Sequence, residues 1–359
     1  MESSLNCFIQ IKNAEKIAII THKYADTDAI ASAISLKRII KDNFENEHKK
    51  FVIDIFTETT EFNKKDEYLI MNEEINNQTC EKYDLAIALD CTNRDRMGVY
   101  DNIFKNATDT LNIDHHTTND RFAKNNIIAS NCSSSSEIIF ILFIQINKLK
   151  CSAGTLGVIY SGIITDTNNL SQNMGPKTFD AINVLNKLTA KEGLQLEQIR
   201  NHYFKSNTKE QNALLAHALS SLNYSDDGKI AIMKIEAEDF EKTNTTMADT
   251  LGIVDYAINT QGVEIGIIFI IQSNGTYHVS LRSKNNINVG IIAQKMGGGG
   301  HTKIAAFQTK PDDNFEEIKT KLIDICEKEI DKTSNIEDVD LSTMFSDMFT
   351  EDQKNNDNK

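Results

Sequence analysis

Four places in the 359-residue chain gather side chains able to hold divalent cations. The most compact is Asp114-His115-His116, which follows the strand-like run Thr110-Leu111-Asn112-Ile113 and precedes a polar stretch. A strand that ends in a carboxylate and two imidazoles presents them at its C-terminal end, where open α/β sheets keep their ligands. Imidazole suits transition metals and carboxylate suits hard divalent ions, so the trio fits a borderline cation such as Mn²⁺. A short His pair alone is more often a surface turn; the other three places add the weight. His22, Asp26 and Asp28 share one stretch between an apolar run and a helical pattern. Carboxylates two apart in a loop can face two neighbouring cations, whereas on a strand they would share one face. A helix cap would also explain Asp26 or Asp28, but not His22 beside them. Asp90 closes the apolar run Leu85-Ala86-Ile87-Ala88-Leu89, and Asp166 closes the helix-like run 156–165. An acidic residue at a helix C-terminus opposes the dipole, so a compensating cation is expected there.

The elements that must position these residues follow from hydrophobic pattern. Lys16-Ile17-Ala18-Ile19-Ile20 reads as a short buried strand, Phe51-Val52-Ile53-Asp54-Ile55-Phe56 as a second, 84–89 as a third and 110–113 as a fourth. Continuous apolar strands of this kind belong to parallel sheets covered on both faces. Helix-length segments lie between them, so the first domain is predicted to be a doubly wound parallel α/β sheet. Three of its four strands deliver possible metal ligands to one edge. The serine run 133–136 reads as a loop and N-cap for a helix opening at Glu137.

From 177 to about 222 the pattern is helical and polar, with a break at 201–207. Strands are predicted at 230–235, 263–271, 277–281 and 304–308, and helices at 289–296 and 315–330. This gives a ligand-bearing α/β domain over 1–190, a helical linker over 191–225, and a smaller α/β domain of mixed sheet over 226–330. The tail over 331–359 is acidic and Asn-rich and is expected to be partly disordered.

Composition narrows the function classes. A formal charge of −14 disfavours a long grip on nucleic acid, which needs clustered Lys and Arg. It leaves room for a small anionic ligand held by metals and a few local cations. Six cysteines are scattered without a C-x-x-C pair, which points to reduced thiols rather than a disulfide framework or zinc knuckle. The N-terminus lacks a secretory pattern, and the most apolar helix-like run, 138–146, is too short to span a bilayer. A cytoplasmic protein without a membrane partner is expected.

Taken together, H-x-x-x-D-x-D at 22–28, the strand-end Asp90, D-H-H at 114–116 and the helix-borne Asp166 resemble the motifs of the DHH phosphoesterase superfamily. Gly297-Gly298-Gly299-Gly300-His301 resembles the G-G-G-H signature of the DHH-associated C-terminal domain, and Ser280-Leu281-Arg282-Ser283 resembles the strand preceding it. The resemblance covers about 15–330, and six loose motifs in the right order are hard to assemble by chance. Within the superfamily the chain looks like the compact oligoribonuclease and pAp phosphatase type. Departures are Ala25 for a usual Pro, Asn168 for a common Gly, Leu170 for a frequent Phe, and no small Gly between His301 and Phe307.

The resemblance implies two divalent cations, manganese first, with magnesium or cobalt as alternatives. One would be held by His22, Asp26 and Asp90, the other by Asp28, Asp90, His115 and Asp166, with Asp90 bridging. Asp114 would orient a histidine ring, and His116 would touch the scissile phosphate. Arg282, Gly298, Gly299, Gly300 and His301 would bind the part of the substrate beyond that phosphate. The glycine run also reads as a plain flexible turn. Expected partners are a short oligoribonucleotide or small nucleotide, with a homodimer also in view. Cleavage of linear or cyclic di-adenylate is the alternative reading, followed by an inorganic pyrophosphatase or an inactive nucleotide-binding regulator. His48, His202, His217 and His278 read as ordinary residues, and Lys23 and Arg94 as neighbours of the site without an assigned role.

Overall fold

The structure, a computed structural model, describes residues 2–333 apart from 60, 61, 63, 273, 301 and 312. His301 and the tail from 334 thus lie outside the described residues. The chain divides between Ser206 and Asn207 into two compact units.

In the first unit, α1 (Glu2–Asn13), β1 (Lys16–Ile20), α2 (Thr27–Phe44), β2 (Val52–Phe56), α3 (Glu67–Ile70), β3 (Leu85–Leu89) and α4 (Asp101–Asn106) follow in order. Next come β4 (Asp109–Asp114), β5 (Asn125–Ile128), α5 (Ser135–Ile139) with a π-helical continuation over Phe140–Ile146, α6 (Ala153–Asp166), α7 (Thr178–Ala190) and α8 (Leu196–Phe204). The five strands are all parallel, in the order β2-β1-β3-β4-β5. Ile17 and Ile19 enter one core with Ile34, Phe140 and Ile159, while Ala18 and Ile20 enter another with Phe56, Ala88 and Phe104. Two buried faces are the reason β1 and β3 read as nearly unbroken apolar runs. The strand order reverses between β1 and β3, and ligands of such sheets sit outside the C-terminal strand ends at that reversal.

Two elements of this unit were not predicted. β5 is a half-buried edge strand opening on Asn125 and Asn126, too polar to stand out by pattern. α1 buries Cys7, Phe8 and Ile11 against the core, with the Phe8 and Phe143 rings 4.9 Å apart.

The second unit contains α9 (Lys209–Ser220), β6 (Asn223–Tyr224), β7 (Ile230–Ile235), α10 (Ala237–Thr243), α11 (Ile253–Ile258), β8 (Ile265–Ile271) and β9 (Tyr277–Ser283). α12 (Val289–Lys295), β10 (Gly299–Gly300), β11 (Ile304–Gln308) and α13 (Phe315–Thr333) complete it. Its sheet is mixed, in the order β10-β11-β9-β8-β7-β6, with β7 and β8 parallel and the other pairs antiparallel. Ile267, Leu281 and Phe307 pack with Ile292 and Leu322 on one face, and Met233 and Ile268 pack with Leu214 and Ala257 on the other. No described helix is long and apolar enough to cross a membrane.

Candidate metal centre

The predicted ligands of the first unit converge at the C-terminal edge of its sheet. β1 runs into the loop carrying His22, and Asp26 then caps α2, its carboxylate accepting from the Ala29 amide at 3.0 Å. The cap is therefore Asp26, and Asp28 is free for another role. Asp28 is buried, and its two oxygens accept from the Ser135 and Ser136 amides at 2.7 and 2.9 Å. α6 passes so close that a Cβ at Gly162 would run into Ser136 Oγ and Asp28 Oδ1, so the helix bearing Asp166 requires glycine there.

Asp90 sits at the centre. His22 Nε2 lies 3.5 Å from Asp90 Oδ2, and His115 Nε2 lies 3.5 Å from both Asp90 Oδ1 and Asp166 Oδ2. Three groupings bring ligand atoms within 4.8 Å of one another: His22 with Asp26 and Asp90; Asp28 with His115 and Asp166; and Asp90 with Asp114, His115 and His116. Two donors each about 2.1 Å from one ion lie roughly 3–3.4 Å apart in octahedral or tetrahedral geometry. The observed spacings are close to that and long for hydrogen bonds. Asp90 also adopts a left-handed backbone with φ 56°. That conformation costs a non-glycine residue roughly 1–2 kcal/mol, strain of the kind that collects at functional sites.

Electrostatics argue that the site needs cations. Burial, then the charges of Asp90 and Asp26, push Asp28 up to about 8. Burial and the charges of Asp28 and Asp26 also hold Asp166 well above the usual carboxylate range, and its Oδ2 is buried without a hydrogen-bond partner. Burial alone would raise Asp90 too, but contact with His22 and the charges of His115 and His116 outweigh it and hold the carboxyl low. Burial depresses His115, which favours the neutral ring a metal requires. Crowded carboxylates, an orphaned oxygen and a neutral imidazole together fit divalent cations.

Asp114 is fully buried, and besides falling in the grouping with Asp90 it engages the His116 ring. Its Oδ1 lies 2.7 Å from His116 Nδ1 and accepts from the His115 and His116 amides, while its Oδ2 accepts from Asn119 Nδ2 at 2.6 Å. Burial pulls His116 down, but the Asp114 hydrogen bond and the Asp90 charge prevail and raise the ring to about 9.

Sequence reasoning treated the serine run 133–136 as loop and cap. Ser134 is indeed the cap of α5, accepting from the Glu137 amide at 3.0 Å. Ser135 does more, because its hydroxyl donates to Asp90 Oδ1 at 3.0 Å. The one sequence signal was four consecutive serines abutting an apolar helix; the structure shows all four fully buried. Asn168, where glycine is common in the resembling family, keeps a left-handed φ of 42°, which asparagine tolerates. Arg94 is committed to Asp101 at 2.8 Å, and the Lys23 ammonium lies over the Tyr24 ring.

In the second unit Arg282 is mostly buried on β9, with its Nε 3.2 Å from Asp255 Oδ1 on α11 and its Nη1 donating to the Leu281 carbonyl. Gly298 donates its amide to the Ala293 carbonyl, ending α12, while Gly299 and Gly300 pair with β11. A Cβ at Gly298 or Gly300 would strike the β11 backbone, so close packing by itself accounts for glycine at both positions.

Residues 16–163 match the DHH family, N-terminal domain, and residues 227–328 match the DHHA1 domain. A probable bifunctional oligoribonuclease and PAP phosphatase of Streptococcus mutans is 28% identical over 319 residues, covering 87% of this chain and 97% of that protein. A cyclic-di-AMP phosphodiesterase of Listeria monocytogenes is 26% identical over 329 residues, and there the match covers 87% of this chain but only 47% of the relative. An exopolyphosphatase-related protein of Bacteroides fragilis has the same fold, with a TM-score of 0.79 at 19% identity over 91% of this chain and 96% of that one.

Proposed function

The chain belongs to the DHH family, with a DHHA1 domain after its catalytic domain, and from that premise we propose that it is a metal-dependent phosphoesterase of very short RNAs and of 3′-phosphoadenosine 5′-phosphate. The observation that carries the reading is the convergence of His22, Asp26, Asp28, His115 and Asp166 around the buried Asp90. His22, Asp26 and Asp90 would hold one cation, and Asp28, Asp90, His115 and Asp166 the other. This carboxylate and imidazole set suits Mn²⁺, with Mg²⁺ or Co²⁺ as alternatives. Paired divalent ions supply Lewis-acid activation of a phosphoryl oxygen and of water at neutral pH.

The protein's own contribution is placement. Ser135 and the amides opening α5 fix Asp90 and Asp28 in direction. Asp114 engages His116 at Nδ1, and the ring's Nε2 would be the nitrogen to donate to a phosphoryl oxygen. Arg282, steadied by Asp255, would grip a second phosphate or sugar group of the nucleotide. The near end-to-end match to the oligoribonuclease and PAP phosphatase relative supports this substrate class.

Linear or cyclic di-adenylate is the second reading, supported by the Listeria relative. The test is purified protein with Mn²⁺ assayed against pAp, a five-nucleotide RNA, pApA and cyclic di-AMP. Turnover of pAp and the RNA is expected. Cleavage of cyclic di-AMP alone would favour the second reading, and no cleavage of any of them would end both.

A further inference from the structure

Thr27 stands between Asp26 and Asp28 and is itself buried. Its hydroxyl reaches the Asp66 carboxylate, 3.0 Å from each oxygen. Asp66 is only 2% exposed and belongs to none of the candidate ligand groupings. Its second partner is Tyr203, whose hydroxyl donates to Asp66 Oδ1 at 2.8 Å. Tyr203 is the penultimate residue of α8, and the chain leaves the first unit three residues later, after Ser206.

Two further bonds fasten the same junction. Lys65 Nζ donates to the Tyr203 carbonyl at 2.5 Å, and His202 Nε2 lies 2.8 Å from the Lys65 carbonyl. Tyr68 packs edge-on against the His202 ring and shares a 2.5 Å hydrogen bond with Ser161 of α6, the helix that carries Asp166. A buried carboxylate is a costly way to fill space, because an apolar side chain would pack there without desolvation of a charge. What the carboxylate does supply is direction: it accepts from two hydroxyls on segments far apart in sequence and holds both.

We propose that Asp66 is a positioning residue that ties the first turn of α2, which carries Asp28 and is capped by Asp26, to the end of α8, so that the hold on this exit helix sets the placement of two metal-facing carboxylates. The proposal rests on the metal-centre reading above.

The test is calorimetric titration of Mn²⁺ into metal-free, full-length protein, with no substrate present. Tyr203→Phe deletes one hydroxyl that touches no candidate ligand and should weaken Mn²⁺ binding about three- to tenfold; Thr27→Val and Asp66→Asn should weaken it about tenfold or more. Tyr83→Phe is the control, because Tyr83 makes a comparable buried bond to Asp54 at 2.5 Å, away from the ligand groupings. It should lose stability and leave Mn²⁺ affinity within twofold. If Asp66→Asn fails to fold, Tyr203→Phe decides. Tyr203→Phe affinity within twofold of wild type would overturn the tether, as would an equal loss in the Tyr83→Phe control. Wild-type protein that binds no Mn²⁺ would overturn the tether and the metal-centre reading together, whereas failure of the proposed substrates alone would leave this result standing.

Discussion

Replacing Asp90 by glycine and by alanine separates its two costs. Both changes delete the carboxylate that faces His22, His115 and His116, but only alanine must still adopt φ 56°. Left-handed backbone costs an L-residue about 1–2 kcal/mol. The greater freedom of glycine in the unfolded chain offsets about 0.4–1 kcal/mol of that advantage. Metal-free Asp90→Gly should therefore be more stable than metal-free Asp90→Ala by about 0.5–1 kcal/mol. In activity the two should be equally poor. Loss of a shared ligand removes several kcal/mol of charge stabilisation, about 4 kcal/mol or roughly a 10³-fold drop in kcat/KM. Urea unfolding in EDTA reads the first quantity, and hydrolysis of bis-p-nitrophenyl phosphate at saturating Mn²⁺ reads the second. Equal stabilities would refute stored backbone strain. Activity within tenfold of wild type in either variant would refute the central place of Asp90.

Asp114→Asn should lower Mn²⁺ affinity or turnover about 10- to 100-fold without emptying the site if, as its 2.7 Å contact with His116 Nδ1 supports, it would orient that ring; a loss equal to that of Asp90→Ala would make it a direct ligand. Arg282→Ala should cut kcat/KM on pAp about 10- to 100-fold, the worth of one charge-assisted bond, and spare bis-p-nitrophenyl phosphate; equal losses on both substrates would mean the residue only supports its unit through Asp255. Burial, opposed by hydrogen bonds from Tyr203 and Thr27, raises Asp66 from 3.8 to about 6. The folded chain therefore keeps a proton that the unfolded chain has released, and the stability from that proton is present below pH 4 and lost as pH rises through 6. Two units correspond to about 3 kcal/mol at most, so the stability difference between metal-free wild type and Asp66→Asn should change between pH 4.5 and 7 by an amount of that order; a constant difference would contradict the buried carboxylate.

Much of the centre was legible in the sequence because short buried strands end abruptly on a charged residue. The runs ending at Asp90 and Asp114 stop on a carboxylate, and the fold rule for open sheets then places those carboxylates at one edge. β5 was not legible, since Asn125 and Asn126 open a half-buried edge strand that needs little apolar surface. Asp66 was invisible for a different reason. Its partners Thr27 and Tyr203 lie 39 and 137 residues away, and only the closed fold brings them together. The close packing of the glycine run was not legible, because a strand approach too close for any Cβ leaves the same sequence trace as a phosphate cradle. His202, read as an ordinary residue, lies at the junction of α8 with Lys65.

The most direct measurement is the stoichiometry and EPR spectrum of Mn²⁺ bound to the purified chain, with Asp90→Ala alongside. Two ions per wild-type chain with an exchange-coupled spectrum, replaced in the variant by weak, uncoupled binding, is the predicted result. A single isolated Mn²⁺ per wild-type chain, or coupling that survives the loss of Asp90, would contradict a paired centre built around that carboxylate.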